Sequence, residues 1–233
     1  MTWSELSFMP VGLCNLSCPN CTQKEWMEDF PNYHMTPDEV RAICRRVREL
    51  GMHFAWAHIT GGEPSLWGFL EEGCRIIRES GVFDHIEVRS NCKVTQSLSR
   101  VLDAGLVDHV VTQDVNCNKR GAKLLKEKYG KRIAIIEQSE HRVHPDNPLN
   151  NVLPAECGCD RVTIFNYRVY PCANMYANLK RMGRDVIASN LSIGIEHNWK
   201  LFIEGINRFN MDACKVCLAN GKVWKQAQIG KVK

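Results

Sequence analysis

Apolar and polar residues alternate from Ser4 to Val11, the period-two pattern of a strand, and that run leads directly into the first of many cysteines. Thr36, Pro37 and Glu39 then form a helix start with a capping box. Val40, Ile43, Val47 and Leu50 repeat at helical spacing until Gly51 stops them. The run His53 to Thr60 reads as a second strand ending at Gly61-Gly62, and Leu66 to Glu79 as a second helix ending near Gly81. Three further strands fall at His85 to Ser90, His109 to Val115 and Arg132 to Gln138, separated by helices near Thr95 to Ala104 and Arg120 to Lys128.

Strands alternating with helices imply a parallel sheet, in which functional groups gather at the C-terminal strand ends. The expected fold is α/β, a partial (β/α) barrel of five or six parallel strands with a small C-terminal hairpin and helix unit. The alternation breaks after Gln138 into the polar, proline-containing stretch 140–151. A boundary near residue 140 therefore divides the chain into a barrel at 1–140 and a smaller unit at 141–233. Within that unit, Arg161 to Tyr170 reads as a β-hairpin turning near Asn166.

At 233 residues, 44% hydrophobic and 24% charged, the chain lies in the globular range and can bury one sizeable core. No apolar run approaches the roughly 18 residues that a membrane span needs, and the opening residues carry no secretion signal, so no membrane partner and a cytoplasmic location are expected. The net charge of +4 is modest. The acid-free stretch Lys222 to Lys233 is expected to be a solvated end, and a nucleic-acid partner is not expected.

Twelve cysteines change the picture, because disulfides are rare in a reducing compartment and metal binding or catalysis becomes the better explanation. Cys44 and Cys74 fall within helical patterns, and Cys92 and Cys117 stand singly in loops; these four read as packing residues. The other eight form two groups. Cys14, Cys18 and Cys21 are spaced CxxxCxxC on a loop leaving the first strand, a soft-thiolate set that suits an iron–sulfur cluster or zinc. No fourth ligand stands nearby, so a four-iron cluster here would keep one iron without a protein thiolate.

The CxxxCxxC spacing after a first strand resembles the signature of the radical S-adenosylmethionine (radical SAM) superfamily. In that family the open iron binds the amino and carboxylate groups of SAM. Gly61-Gly62-Glu63-Pro64 after the second strand resembles the family's GGEP motif, which contacts the methionyl amino group. Glycines let the backbone approach a ligand, and a carboxylate pairs with an ammonium. Ser90-Asn91-Cys92 resembles the family's Thr-Asn-Gly segment near the SAM ribose or carboxylate. Two features depart from the pattern. Asn20 stands before the third cysteine where an aromatic residue is usual, and five strands are counted where six are usual, which leaves an abbreviated barrel or a sixth strand elsewhere.

Cys157, Cys159, Cys172, Cys214 and Cys217 form the second group, one thiol more than a four-iron cluster takes. A hairpin entering a cysteine, followed by a CxxC, resembles the Twitch and SPASM auxiliary-cluster units. That resemblance makes Cys172, Cys214 and Cys217 ligands of a second, auxiliary [4Fe-4S] cluster, with Cys157 or Cys159 as the fourth. A zinc ribbon is the alternative on spacing alone.

The resemblance as a whole implies reductive cleavage of SAM at the first [4Fe-4S] cluster, hydrogen abstraction by a 5′-deoxyadenosyl radical, and an electron donor such as flavodoxin or ferredoxin. The compact layout is similar to the small aminocyclitol (2-deoxy-scyllo-inosamine) dehydrogenases, which implies oxidation of a small molecule with the auxiliary cluster as electron acceptor. Radical modification of a ribosomal peptide or a nucleic acid, and a non-catalytic zinc protein, are the other readings. Polar groups at strand ends are the acid/base candidates: His58, Arg89, Asp114 and Glu137.

Overall fold

The structure, a computed structural model, describes residues 2–18, 21, 23–113, 119–136, 161–172, 175–181, 183 and 192–206. Strands β1 (Thr2–Phe8), β2 (His53–Ile59), β3 (Phe83–Arg89), β4 (His109–Gln113) and β5 (Ile133–Ile136) alternate with helices α1 (Lys24–Asp29), α2 (Pro37–Glu49), α3 (Leu70–Ser80), α4 (Thr95–Asp103) and α5 (Lys119–Tyr129). They are followed by β6 (Arg161–Phe165), β7 (Arg168–Tyr170), α6 (Met175–Arg181), β8 (Ile193–Gly194) and α7 (Trp199–Ile206). No helix among the described residues is long and apolar enough to cross a membrane.

One sheet runs in the order β5-β4-β3-β2-β1-β6-β7-β8, and the first six of these strands run parallel to one another. Strands β1 to β5 are laid down side by side without reversal. Right-handed crossovers then place every connecting helix on the same face, which curls the sheet toward a barrel; a doubly wound sheet reverses direction and covers both faces. Leu6, Phe8, Ala57, Ile59, Ile86, Val88 and Val110 pack beneath Val40, Ile43, Ile77, Leu98 and Val101 of the helices in one core.

The sixth parallel strand expected of a partial barrel is β6. It pairs with β1 in the register Ser7 to Thr163 while also forming the first arm of the hairpin with β7. Its position beyond β1 could not be read from the chain, because a strand that follows β5 in sequence here lies at the opposite side of the sheet. Helix α1 also escaped the pattern; its six residues are too few to show a period. Strand β1 ends at Phe8, short of Val11, because Pro10 has no N–H for the ladder and Val11 turns to bridge His34. Helix α3 begins at Leu70, since Glu63 caps a separate 3₁₀ turn at Pro64–Leu66.

The capping box at Thr36 is formed as the spacing predicts: Thr36 Oγ1 accepts from Glu39 N at 3.2 Å, and the Glu39 carboxylate accepts from the Thr36 backbone N–H. Its Oε1 accepts from Tyr33 Oη at 2.8 Å and from Tyr167 N at 3.0 Å, while Asn166 N donates to Tyr33 Oη at 2.9 Å. Asn166 and Tyr167 both have positive φ, 48° and 54°, as the tight turns that join hairpin strands require. Glu39 therefore ties the hairpin tip to the start of α2.

Gly73 of α3 lies under the indole of Trp67, where an added Cβ would sit 2.1 Å from the ring. Trp67 cannot step aside, being 2% exposed with its Nε1 bonded to the Met35 carbonyl at 2.8 Å. Alanine is worth about 1 kcal/mol over glycine in a helix interior. Gly73→Ala should nonetheless destabilise the protein by about 1–3 kcal/mol, the usual cost of overpacking, and urea denaturation will measure it.

Burial holds the Glu39 carboxyl above its ordinary value of 4.5, opposed by the hydrogen bonds from Tyr33 and Tyr167. The folded protein thus keeps a proton that the unfolded chain releases first. Its contribution to stability is full below pH 4.5 and is lost as the pH rises through the folded value. Glu39→Gln keeps an accepting oxygen and should flatten that slope above pH 4.5; denaturation midpoints that fall equally in both proteins would contradict this.

Candidate active site

The loop leaving β1 carries Cys14, Cys18 and Cys21, none of them in a disulfide. All three line a cavity of about 330 Å³ together with Leu16, Lys24 and Glu28. Cys21 N donates to the Cys18 carbonyl at 3.1 Å and Lys24 N to that of Cys21 at 3.4 Å, so the last two cysteines lead into α1 through a tight turn. Burial pushes the Cys21 thiol up to about 11, and the neighbouring Cys18 and Cys14 push it in the same direction. Such a thiol gives up its proton when a cation takes its place.

Among the described residues, no three His, Cys, Asp or Glu side chains are gathered tightly enough to grip a single ion. Three soft thiols around one cavity are a donor set that a four-iron cube, each thiolate on a different corner, can take.

The glycine pair after β2 is pressed against this loop. Gly62 N donates to the Val11 carbonyl and Glu63 N to that of Leu13, both at 2.8 Å. A Cβ on Gly62 would stand 2.3 Å from the Leu13 carbonyl oxygen, and Gly61 has φ +115°, where side-chain-bearing residues rarely go. Only glycine fits the pair of positions.

Glu63 follows, 1% exposed, and its carboxylate is a hub. Oε1 accepts from Ser90 Oγ at 2.6 Å and from Ser65 N at 2.9 Å, and Oε2 from Asn91 N at 2.7 Å. Asn91 Nδ2 in turn donates to Asn15 Oδ1 at 2.7 Å, which closes the circuit back to the cysteine loop. Gly61, Gly62, Glu63, Pro64, Ser90 and Asn91 are thus brought to the same end of the sheet as the three thiols. Asn15, absent from the sequence reading, belongs with them; its place inside the CxxxC gap was the available signal.

Cys92 has φ 56°, the left-handed region that suits the glycine of the Thr-Asn-Gly segment. Its carbonyl lies so close to Gly121 of α5 that a Cβ there would meet it at 1.9 Å. Cys44, Cys74 and Cys92 are all buried in the main core, as their solitary positions suggested, and burial raises all three thiols.

The sheet face turned away from the helices carries a row of polar residues in register across five strands: Thr163, Ser7, His58, Glu87 and His109. His58, 3% exposed, lies between two carboxylates, with Nδ1 3.3 Å from Glu87 and Nε2 3.6 Å from Glu5. Glu87 also accepts from Arg89 Nε at 2.7 Å, and Arg89 stands one step nearer the C-terminal strand ends. His58 is sealed beneath the site and steadies Glu87, whereas Arg89, its side chain 36% exposed, reaches the open end. Asp114, Glu137, Cys117, Cys157, Cys159, Cys214 and Cys217 lie outside the described residues. Cys172 is described, and it is buried behind α1.

No protein-family model matches the chain, and no curated protein matches it. Among solved structures, BtrN in complex with AdoMet and 2-DOIA is similar, with a TM-score of 0.60 at 15% identity over 91% of this chain and 92% of that one. BtrN in an open conformation gives 0.55 at 16% identity over 92% of each chain. At such identity the likeness establishes the fold. The partial (β/α) barrel implied by the radical SAM resemblance is the fold this chain has.

Glu63→Gln replaces one accepting oxygen with an NH₂ that faces N–H and O–H donors. In this buried hub the change should cost about 1.5–3 kcal/mol, the worth of a hydrogen bond to a charged group. Urea denaturation will measure it, and unchanged stability would remove Glu63 from its role as the tie between the loops.

Proposed function

We propose that this protein is a radical SAM enzyme that abstracts hydrogen from a small metabolite and oxidises it, with a second iron–sulfur centre as electron acceptor. The observation that carries the reading is the 2.8 Å pairing of Gly62 and Glu63 with Val11 and Leu13, which sets a Gly-Gly-Glu segment beside three cavity-lining thiols. Cys14, Cys18 and Cys21 hold the first cluster. Cys172, Cys214 and Cys217, with Cys157 or Cys159, hold the second. BtrN, of the same fold, was crystallised with AdoMet and 2-DOIA, which supports SAM as cosubstrate and a small molecule as substrate.

With the first cluster and SAM in place, the chemistry supplied is one-electron cleavage to methionine and a 5′-deoxyadenosyl radical, which takes a substrate hydrogen. The protein's own residues do the rest. Gly61 and Gly62 let the end of β2 close onto the Val11 and Leu13 carbonyls and so hold the cysteine loop in position. Arg89, oriented through Nε by Glu87, presents its remaining nitrogens to a substrate oxygen. His58 holds Glu87 from below. Asp114 and Glu137 are the candidates for taking the substrate proton. Flavodoxin or ferredoxin would supply the electron, in a cytoplasmic setting.

Anaerobic reconstitution should yield about eight irons per chain for two four-iron clusters. Incubation with SAM and a strong reductant should release 5′-deoxyadenosine, and Cys14→Ala should abolish that release. Tightly bound zinc in place of iron would make this a zinc protein instead.

A further inference from the structure

Asn15 stands half-buried inside the CxxxC gap, one residue after Cys14. The two ends of its amide can be told apart, because a chain of hydrogen bonds reaches it from a main-chain N–H, a group that only donates. Lys93 N donates to Asn91 Oδ1 at 2.9 Å, which leaves the NH₂ group as the other end of the Asn91 side chain. Asn91 Nδ2 donates to Asn15 Oδ1 at 2.7 Å, so Asn15 answers with its oxygen and turns Nδ2 away. The relay is anchored at its root, since Asn91 N donates to Glu63 Oε2 at 2.7 Å.

Asn15 Nδ2 carries two N–H donors, and neither has a partner among the described residues. The acceptors of the neighbouring hub already serve other donors. Glu63 Oε1 takes Ser90 Oγ and Ser65 N, Oε2 takes Asn91 N, and Asn91 Oδ1 takes Lys93 N. The thiol cavity is lined by Cys14, Leu16, Ser17 and Cys18 but not by Asn15. Nδ2 therefore serves the seam between the cysteine loop and the end of β3, and a pair of donors there suits a group that only accepts. A carboxylate is such a group, and its charge strengthens each N–H···O bond.

We propose that Asn15 Nδ2 binds a carboxylate oxygen at the methionyl end of SAM. The inference rests on the radical SAM reading above. The loop that holds the first three thiols then also positions the cosubstrate. Glu63 acts as a positioning residue, through Asn91, with its own oxygens turned onto three protein donors.

The test uses the full chain, anaerobically reconstituted, and reads equilibrium binding of SAM and of decarboxylated SAM, which lacks only the carboxylate. Asn15→Asp keeps the oxygen that accepts from Asn91 and replaces the outward NH₂ with a charged oxygen. It should weaken SAM binding at least about tenfold, while decarboxylated SAM binds as well as to the unmutated protein or more tightly. Asn91→Asp should do the same by another route. Its Oδ1 still accepts from Lys93 N, its second oxygen faces Asn15, and the Asn15 amide must flip and turn its own oxygen outward. If Asn15→Asp loses iron, Asn91→Asp decides. Unchanged or tighter SAM binding in an iron-loaded variant, or equal weakening for both ligands, would overturn the proposal. An iron-loaded unmutated protein that binds no SAM would overturn the radical SAM reading itself.

Discussion

The arrangement depends on one close approach, that of the Gly61-Gly62 backbone to the carbonyls of Val11 and Leu13. A loop carrying three soft thiols has little reason to keep one shape, since it has no regular hydrogen-bond ladder of its own. Two main-chain bonds to the end of β2 hold it, and they form only because two successive residues lack a Cβ. From there the Glu63 carboxylate extends the same hold to β3 through Ser90 and Asn91, and Asn91 returns it to Asn15. Three strand ends and the cysteine loop are thus tied together.

Beneath that body the sheet has two unlike faces. The helix side is a continuous aliphatic core, as a parallel sheet with all its crossovers on one side requires. The other side carries Glu5, His58, Glu87 and Arg89, ionisable groups kept because each has a partner within the sheet. The C-terminal strands are built into this frame. Strand β6 lies directly against β1, and Glu39 receives the hairpin tip, so the segment bearing Cys172 is held in place by the same elements that present Cys14, Cys18 and Cys21.

Much of the fold was legible along the chain. The βα alternation, the start of α2 at Thr36, the ends of the first strands and the positions of the cysteine trio all rest on local pattern, and the structure reproduces them within a few residues. Local pattern also marked Cys44, Cys74 and Cys92 as core residues, because each stood alone within an apolar or turn context. Gly61 and Gly62 could be singled out because a glycine pair at a strand end serves close backbone approach almost wherever it occurs.

What the chain could not show by itself are relations between residues far apart in sequence. Glu63 satisfies Ser90 and Asn91, Glu39 serves Tyr167, His58 sits between Glu5 and Glu87, and Trp26 shares a packed cluster with Cys172. Periodicity reports which face of an element is apolar, and spacing reports which ligands share a loop. Neither reports which strand lies next to which. Sequence alone determined the elements and the identity of the donor atoms; tertiary packing decided their partners, because a buried carboxylate, imidazole or indole takes whatever group the sheet order brings within hydrogen-bond distance.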